Sequence, residues 1–588
     1  MASASYATEA PVEVLLAATA LHLARGRPAA LRAVRETLVT ADKSLVGLSP
    51  RELLDAVPPP DAPVGPEILG ALREAVLAPR ERHDSGAVYT PLHVARRLCR
   101  IALDLGDRER RARLTVCDPT VGGGIFLLAA AEALAKQGND PASIVRCQLW
   151  AADLDPVALL ATRLSLAVWA GEVLPLEHAA CTDTLTAGLD AWVAPPLEGF
   201  DLVIGNPPFQ SQLGHRTART AEETQVLRSR LGPAAHRYAD TATLFLVASL
   251  GMTRPGGHAA LIMPQSFLVA RDAAPARAGL LEGSELEAFW LATDSVFEAH
   301  VRVCAPFLRR RVATGPIGEA SGADCQSRPI ARFIGRSVEP APALDRVACG
   351  RGDLANASTW GFLTADLLGV PLVELDERSG TLGDLCRATA GFRDQYYGLT
   401  QLVTEGSTDD SERRPRLVTS GLVDPGRCLW GRRATKFARR RWAAPVVDLD
   451  QLDPESPLSR WGRARLMPKV LVATQTRVLE ATVDIVGNLW PSVPVISVEA
   501  PAERLFDVAA VLLAPPVSAW ALSNFAGAAL SGDAIKLAAS QVLQIPLPTD
   551  RGAWAAARST VATVCAAQDA KVWRDALVYL GEQMCRAY

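Results

Sequence analysis

LTVCDPTVGGGIFLLAAAEAL, residues 114–134, reads as a strand, a tight turn and a helix in immediate succession. Asp118 and Pro119 stop the strand, because proline has no N–H to give to a ladder. Gly122, Gly123 and Gly124 allow a sharp turn and let backbone come close to a ligand, and a helix begins near Phe126. The run is neither GxGxxG nor a Walker loop, since no Lys follows the glycines. Taken alone it is an ordinary strand-to-helix connection. Its meaning depends on what the neighbouring strands end in.

Outward from this stretch the same pattern recurs. CQLWAADLD (147–155), FDLVIGNPP (200–208) and HAALIMP (258–264) are short apolar runs that end in an acid, Pro or Asn. Helical segments separate them from Thr115 to about Val303. This alternation predicts an α/β fold, a doubly wound sheet whose ligands sit at the C-terminal strand edges. Ahead of it, VEVLLAATALHLARG (12–26) and PEILGALREAVLAPR (66–80) carry apolar residues at helical spacing, with the breaker VPPPDAPVGP between them. The expected regions are a helical 1–80, a catalytic 81–310, a Gly-, Ala-, Pro- and Ser-rich linker at 311–345, a folded 346–550 and a helical tail at 551–588.

With 588 residues the chain is too long for one core. Its 49% hydrophobic and 21% charged residues are ordinary for a globular protein, and the net charge of −3 leaves room for a local basic patch. The 11 cysteines are scattered singly, with no close pairs at metal-ligand spacing, and Cys117, Cys147 and Cys304 lie in or beside apolar runs. Reduced thiols, no zinc or other metal site and a cytoplasmic location are expected. The acidic N-terminus is unlike a signal peptide, and no apolar stretch reaches membrane-spanning length.

The strand ends carry the chemistry. Asp153 can accept from both hydroxyls of a ribose, and Asp183 in CTDTLTA from an adenine amino group. Either is equally suited to cap a helix. The corner Asn206-Pro207-Pro208-Phe209 has a sharper explanation. An amino group conjugated to a ring is a poor nucleophile, because its lone pair is delocalised. The Asn206 side-chain oxygen and the Pro207 carbonyl can both accept from it, which draws the nitrogen towards tetrahedral geometry and stabilises developing positive charge. The prolines fix the acceptors, and Phe209, expected to be exposed, offers a face for a base.

On these residues the sequence resembles the adenine-N6 DNA methyltransferases, with the motif order of their gamma group. GAVYTP (86–91) stands where that group has its Gly-x-x-Tyr/Phe-Thr-Pro element, and YADTATLFLVASLGMTRPGGHAALIMPQSFL (238–268) resembles the helix, turn and strand after the catalytic corner. The resemblance covers about residues 80–310. It implies a Rossmann-like class I fold that binds S-adenosyl-L-methionine. Tyr89, Thr90 and Pro91 would line the methionine end, Asp118 and Gly122 the amino acid moiety, Asp153 the ribose and Asp183 the adenine. Pro119, Gly124, Phe126, Leu154, Thr184 and Asn206 complete the implied cofactor contacts. Asn206, Pro207, Pro208 and Phe209 would hold the target base. One departure is Val121-Gly122-Gly123-Gly124 in place of the usual Ala/Cys-Gly-Ser-Gly type.

The same resemblance places an α+β target-recognition domain after the catalytic one. RCLWGRRATKFARRRW (427–442) interleaves cations with Trp and Phe, and Arg427, Arg432, Arg433, Lys436, Arg439, Arg440 and Arg441 are the candidate contacts to double-stranded DNA. Such a run is as often a solvated face. KVLVATQTRVLEATVD (469–484), SGDAIKLAASQVLQIPLP (531–548) and GFRDQYYG (391–398) resemble recognition-domain segments more loosely. The leading expectation is a site-specific adenine-N6 methyltransferase of a restriction-modification or phage-defence system, with a cognate nuclease or other defence protein as candidate partner. The alternatives are a methyltransferase acting on protein glutamine or RNA, and a DNA-binding specificity subunit without catalysis.

Overall fold

The structure is a computed structural model. It describes residues 11–40, 50–56, 64–76, 90–210, 219–293, 296, 302–312, 330–335, 359–365, 369, 371, 373–391, 393–406, 414–473, 476–525 and 534–588. The chain divides into two units, Met1–Ser358 and Thr359–Tyr588.

Among the described residues nine strands build the sheet of the first unit: β1 (Val116–Asp118), β2 (Leu149–Asp153), β3 (Ala179–Cys181), β4 (Phe200–Gly205), β5 (Thr253–Leu261), β6 (Met263–Pro264), β7 (Ser284–Leu291), β8 (Val303–Arg310) and β9 (Ala331–Ile334). Their order is β3-β2-β1-β4-β5-β8-β7-β9, with β6 beside β8. The first five positions are mutually parallel. β8 then runs antiparallel to both β5 and β7. The chain builds outward from β1 to β3, returns to the other flank of β1 with β4, and continues to β5. The reversal lies between β1 and β4, where such sheets open a crevice at their C-terminal edge.

The central parallel strands β1, β2 and β4 are buried through most of their length, as sheets covered on both faces require. Helices Leu92–Leu105 and Ile125–Lys136 share one core with this sheet. At the opposite end from the crevice, buried Asp201 accepts from the N–H and hydroxyl of Thr115 at 2.9 and 3.0 Å and from Arg110 at 2.9 Å, which ties the starts of β1 and β4 together.

Several sequence-based boundaries change. Helices Val12–Ala24 and Pro28–Thr40 pack their apolar residues onto Leu160, Ala161, Leu164, Ala167 and Val168 of helix Pro156–Ala170. They share a core with the sheet-covering layer, so no separate core ends near residue 80. Ala331–Ile334, expected inside a linker, is β9, paired parallel with β7; its short ARFI run completes the sheet edge. Cys117 and Cys304 are buried, whereas Cys147, at a helix end, is exposed.

The second unit is α+β. One sheet takes the order Arg387–Ala390, Ile496–Glu499, Lys469–Val472, Ala481–Asp484, all antiparallel. Helices Leu505–Leu512, Pro515–Phe525, Arg551–Ala566 and Ala570–Ala587 cover it in one hydrophobic cluster. The C-terminal helices therefore belong to this core and are not an appended tail. A second sheet joins Val403–Glu405, Pro445–Val447, Arg416–Val418 and Leu489–Pro491. Among the described residues no single helix is long and apolar enough to cross a membrane.

Candidate active site

A cavity of about 860 Å³ opens at the β1–β4 reversal. The ends of β1 and β2, the turn after β3 and the corner after β4 all reach it. Thr90, Asp118, Pro119, Gly122, Phe126, Asp153, Leu154, Asp183, Thr184, Asn206 and Pro208 line it. Residues separated by more than 100 positions thus meet in one space. Tyr89 lies outside the described residues. Pro91, Gly124, Pro207 and Phe209 are not in the lining.

The glycine loop explains itself residue by residue. Gly122 has φ of +51° and no atom within 4 Å of where a Cβ would stand, so its backbone faces open space. Its N–H donates to Asp153 Oδ2 at 2.8 Å. Gly124, at φ +79°, begins the helix Ile125–Lys136, and a Cβ there would lie 2.9 Å from Thr162. Gly123, the departure from the family pattern, meets Gly70 of helix Ile68–Val76 backbone to backbone: a Cβ on it would be 2.3 Å from Gly70 Cα. The middle glycine therefore makes room for an N-terminal helix.

Asp153 accepts the N–H of Asp155 on its other oxygen at 2.9 Å. Burial pushes its carboxyl above the ordinary value, opposed by those two N–H bonds and by the charge of Arg73. Asp118, at the end of β1, is fully buried and pushed up to about 8 by the same desolvation, against one N–H bond from Thr120. Gly205 allows this: a Cβ there would sit 2.4 Å from Asp118 Oδ1. Asp183 caps the short turn Thr184–Ala187, with Leu185 N–H on Oδ1 at 2.9 Å, and still lines the cavity. Capping and ligand-facing positions coincide here. Thr184 donates to the Pro119 carbonyl at 3.1 Å, joining the β1 and β3 ends.

At the corner after β4, Asn206 Nδ2 donates to Thr90 Oγ1 at 3.0 Å. Thr90 and the NPPF corner are thereby bound together, and the amide is oriented with its nitrogen on the Thr90 hydroxyl. Phe209 differs from expectation. It is half-buried and packs against the hydrophobic core of the sheet, since an aromatic side chain next to an apolar layer gains more by burial than by exposure. Pro207 is buried.

Other lining residues were not singled out from the sequence. Arg73 and Glu74 come from helix Ile68–Val76, and Phe245 from helix Thr241–Met252. Arg219 donates to the Ala239 carbonyl and to Thr241 Oγ1, both at 2.7 Å. Nothing local marks any of them; only the periodicity of PEILGALREAV, which puts Gly70 and Arg73 on one helix face, carried a signal.

In the second unit the basic segment separates into two kinds of cation. Arg427 pairs with Asp424 at 2.9 Å and stacks 3.7 Å from the Trp573 ring centre. Its guanidinium is engaged within the fold by both contacts. Arg432 is exposed and donates to Gln568, and exposed Arg433 to the Gly421 carbonyl at 3.1 Å. Lys436, Arg439, Arg440 and Arg441 are exposed on the hairpin Thr435–Phe437/Arg440–Trp442. Lys436 stands directly opposite Arg441, a like-charge pair that costs stability unless an anion offsets it. Among the described residues no ion pair involves these four. The two-residue turn places Ala438 and Arg439 at φ +51° and +62°, a region unfavourable to side chains. Buried Phe437 and the Tyr396 hydroxyl, which accepts the Ala438 N–H at 3.2 Å, hold it there.

Residues 66–318 match the family described as N-6 DNA Methylase. No curated protein matches the sequence. Among solved structures the chain is similar to the Type IIL restriction-modification enzyme MmeI, solved in complex with DNA, at TM-score 0.58 and 13% identity over 93% of this chain and 81% of that one. It is also similar to the DrdV–DNA complex, at TM-score 0.51 and 13% identity over 94% of this chain and 66% of that one. At such identities these likenesses concern the fold.

Proposed function

We propose that this chain, whose residues 66–318 match the N-6 DNA Methylase family, transfers a methyl group from S-adenosylmethionine to the N6 amino group of an adenine in duplex DNA, within a restriction-modification system. The observation that carries this reading is the single cavity shared by the glycine loop, the strand-end acids and the Asn206 corner. Its donor set suits the cofactor: a carboxylate at Asp153 for a vicinal diol, open space over Gly122 for close backbone approach, and Leu154 and Phe245 as apolar faces. Bound there, the cofactor supplies an electrophilic methyl group.

The chain's own residues activate the acceptor. The Asn206 oxygen and the Pro207 carbonyl accept the two amino hydrogens of adenine N6, which localises the lone pair and stabilises charge as it develops. Thr90 fixes the Asn206 amide in the orientation this requires. No strong base is needed, because the proton leaves after attack. The base must swing out of the duplex, at a cost of a few kcal/mol. Phe209 is the proposed stacking partner, worth roughly 1–3 kcal/mol, after turning from its packed position. Lys436, Arg439, Arg440 and Arg441 are proposed to meet DNA phosphates, with Arg432 and Arg433 beside them in sequence.

Methyl transfer from tritiated S-adenosylmethionine, offered duplex DNA, RNA and protein, tests this reading. Label in duplex DNA, located on adenine after digestion, is expected. Label confined to RNA or protein glutamine would replace it with the alternative substrate class.

A further inference from the structure

Arg73 belongs to no motif of the catalytic region, yet it is almost fully buried at the edge of the cavity. Helix Ile68–Val76 reaches this place because Gly70 and Gly123 allow contact between backbones. One helical turn beyond Gly70, the Arg73 guanidinium holds Asp155 Oδ2 through Nε at 3.0 Å and Nη2 at 2.5 Å. Asp155 Oδ1 accepts the Val157 N–H at 2.9 Å, so its carboxylate is fixed from both sides. The backbone N–H of the same residue donates to Asp153 Oδ1. A continuous relay therefore runs from an N-terminal helix to the acid at the end of β2.

We infer that Arg73 is a positioning residue for the ribose of the bound cofactor: it fixes Asp155, whose backbone N–H orients the Asp153 carboxylate into the cavity. The inference rests on the cofactor reading above. Asp153 is otherwise in an unfavourable setting for a charged acceptor. Asp155 on its own strand end and Asp118 at the end of β1 are acids, Glu74 lines the same cavity, and Cys181 at the end of β3 is a thiol. Burial and Asp155 both raise the Asp153 carboxyl, and Arg73 is the cation that opposes them. Without Arg73 a larger fraction of Asp153 is protonated at a given pH, and a protonated carboxyl accepts poorly from two hydroxyls.

The test is calorimetric titration of the full chain with S-adenosylmethionine between about pH 5.5 and pH 8.5, for wild type, Arg73→Gln and Arg73→Lys. Arg73→Gln is expected to bind more weakly than wild type, with the loss growing towards the acidic end of that range as Asp153 takes up its proton. Its loss of binding on acidification should begin at higher pH than in wild type. Arg73→Lys keeps the charge and should keep the wild-type midpoint. Wild-type affinity and midpoint in Arg73→Gln would overturn the inference alone. So would a midpoint moved as far by Lys as by Gln, because the positive charge of residue 73 would then play no part in keeping Asp153 ionised. If Arg73→Gln does not fold, the Arg73→Lys midpoint decides: unchanged supports the inference, shifted overturns it. Absence of binding by wild type would overturn the cofactor reading together with it.

Discussion

In the first unit Asp153 accepts from two backbone N–H groups and lies within the influence of Arg73, in a cavity closed by glycine contacts. In the second, Lys436, Arg439, Arg440 and Arg441 stand in solvent on a hairpin, with like charges facing across the strands. The second unit also contains the opposite treatment of charge. Lys469 is wholly buried and pairs with Asp484 at 2.5 Å, and Asp484 further accepts from Gly487 and Leu489. Burial lowers the Lys469 ammonium from its usual value, and Asp484 opposes that shift. Some of these charged groups are committed to the fold, and others are proposed to meet a ligand. Chemical type does not separate the two sets: Arg427 and Arg440 lie 13 positions apart and fall on opposite sides.

The largest effect should come from breaking a committed pair. Asp484→Ala strands Lys469 in the core and is expected to cost about 3–5 kcal/mol, read as a fall in the unfolding midpoint. A stable Asp484→Ala protein would remove the distinction drawn for the second unit. Next, Asn206→Ala should lower methyl transfer by about 10²–10³-fold, the scale for removing one preorganised hydrogen-bonding group aimed at developing charge. S-adenosylmethionine affinity should stay within about twofold, because Asn206 is proposed to face the amine. If calorimetry shows that affinity falls with turnover, Asn206 belongs to the committed set instead.

Smaller changes sharpen the division among the arginines. Arg439→Ala with Arg440→Ala should weaken binding to any duplex and reduce the slope of log affinity against log salt by about 2, since two phosphates would no longer be neutralised. An unchanged slope would make the hairpin a solvated face. The smallest effect is expected from Arg427→Ala. It should leave the salt slope intact and lower stability by about 0.5–2 kcal/mol, because neither the stacking on Trp573 nor the pair with Asp424 can then form. A reduced slope there would return Arg427 to the DNA-contacting set.

Much of the candidate site was legible in advance because its residues are set by backbone demands. A strand that stops at Asp118-Pro119, a turn that needs positive φ at Gly122 and Gly124, and a corner rigid at Pro207-Pro208 leave few alternatives, and a linear pattern registers them. The α/β class followed from the alternation of runs for the same reason. Less legible were Arg73, Arg219 and Phe245, whose neighbours in sequence say nothing of the cavity they line.

By itself, then, the sequence determined the strand-end chemistry: which residue types stop each strand, where backbone is bare, and that Asn206 follows a buried strand. Tertiary structure decided which of those groups are committed. It set Gly123 against Gly70, turned Phe209 onto the core, stacked Arg427 on Trp573 and brought Arg73 to Asp155. The physical reason is range. Turns, caps and strand ends depend on a few neighbouring residues, whereas burial and charge pairing depend on groups tens to hundreds of positions away. Asp155 finds its guanidinium 82 residues earlier in the chain, and no local pattern can announce that.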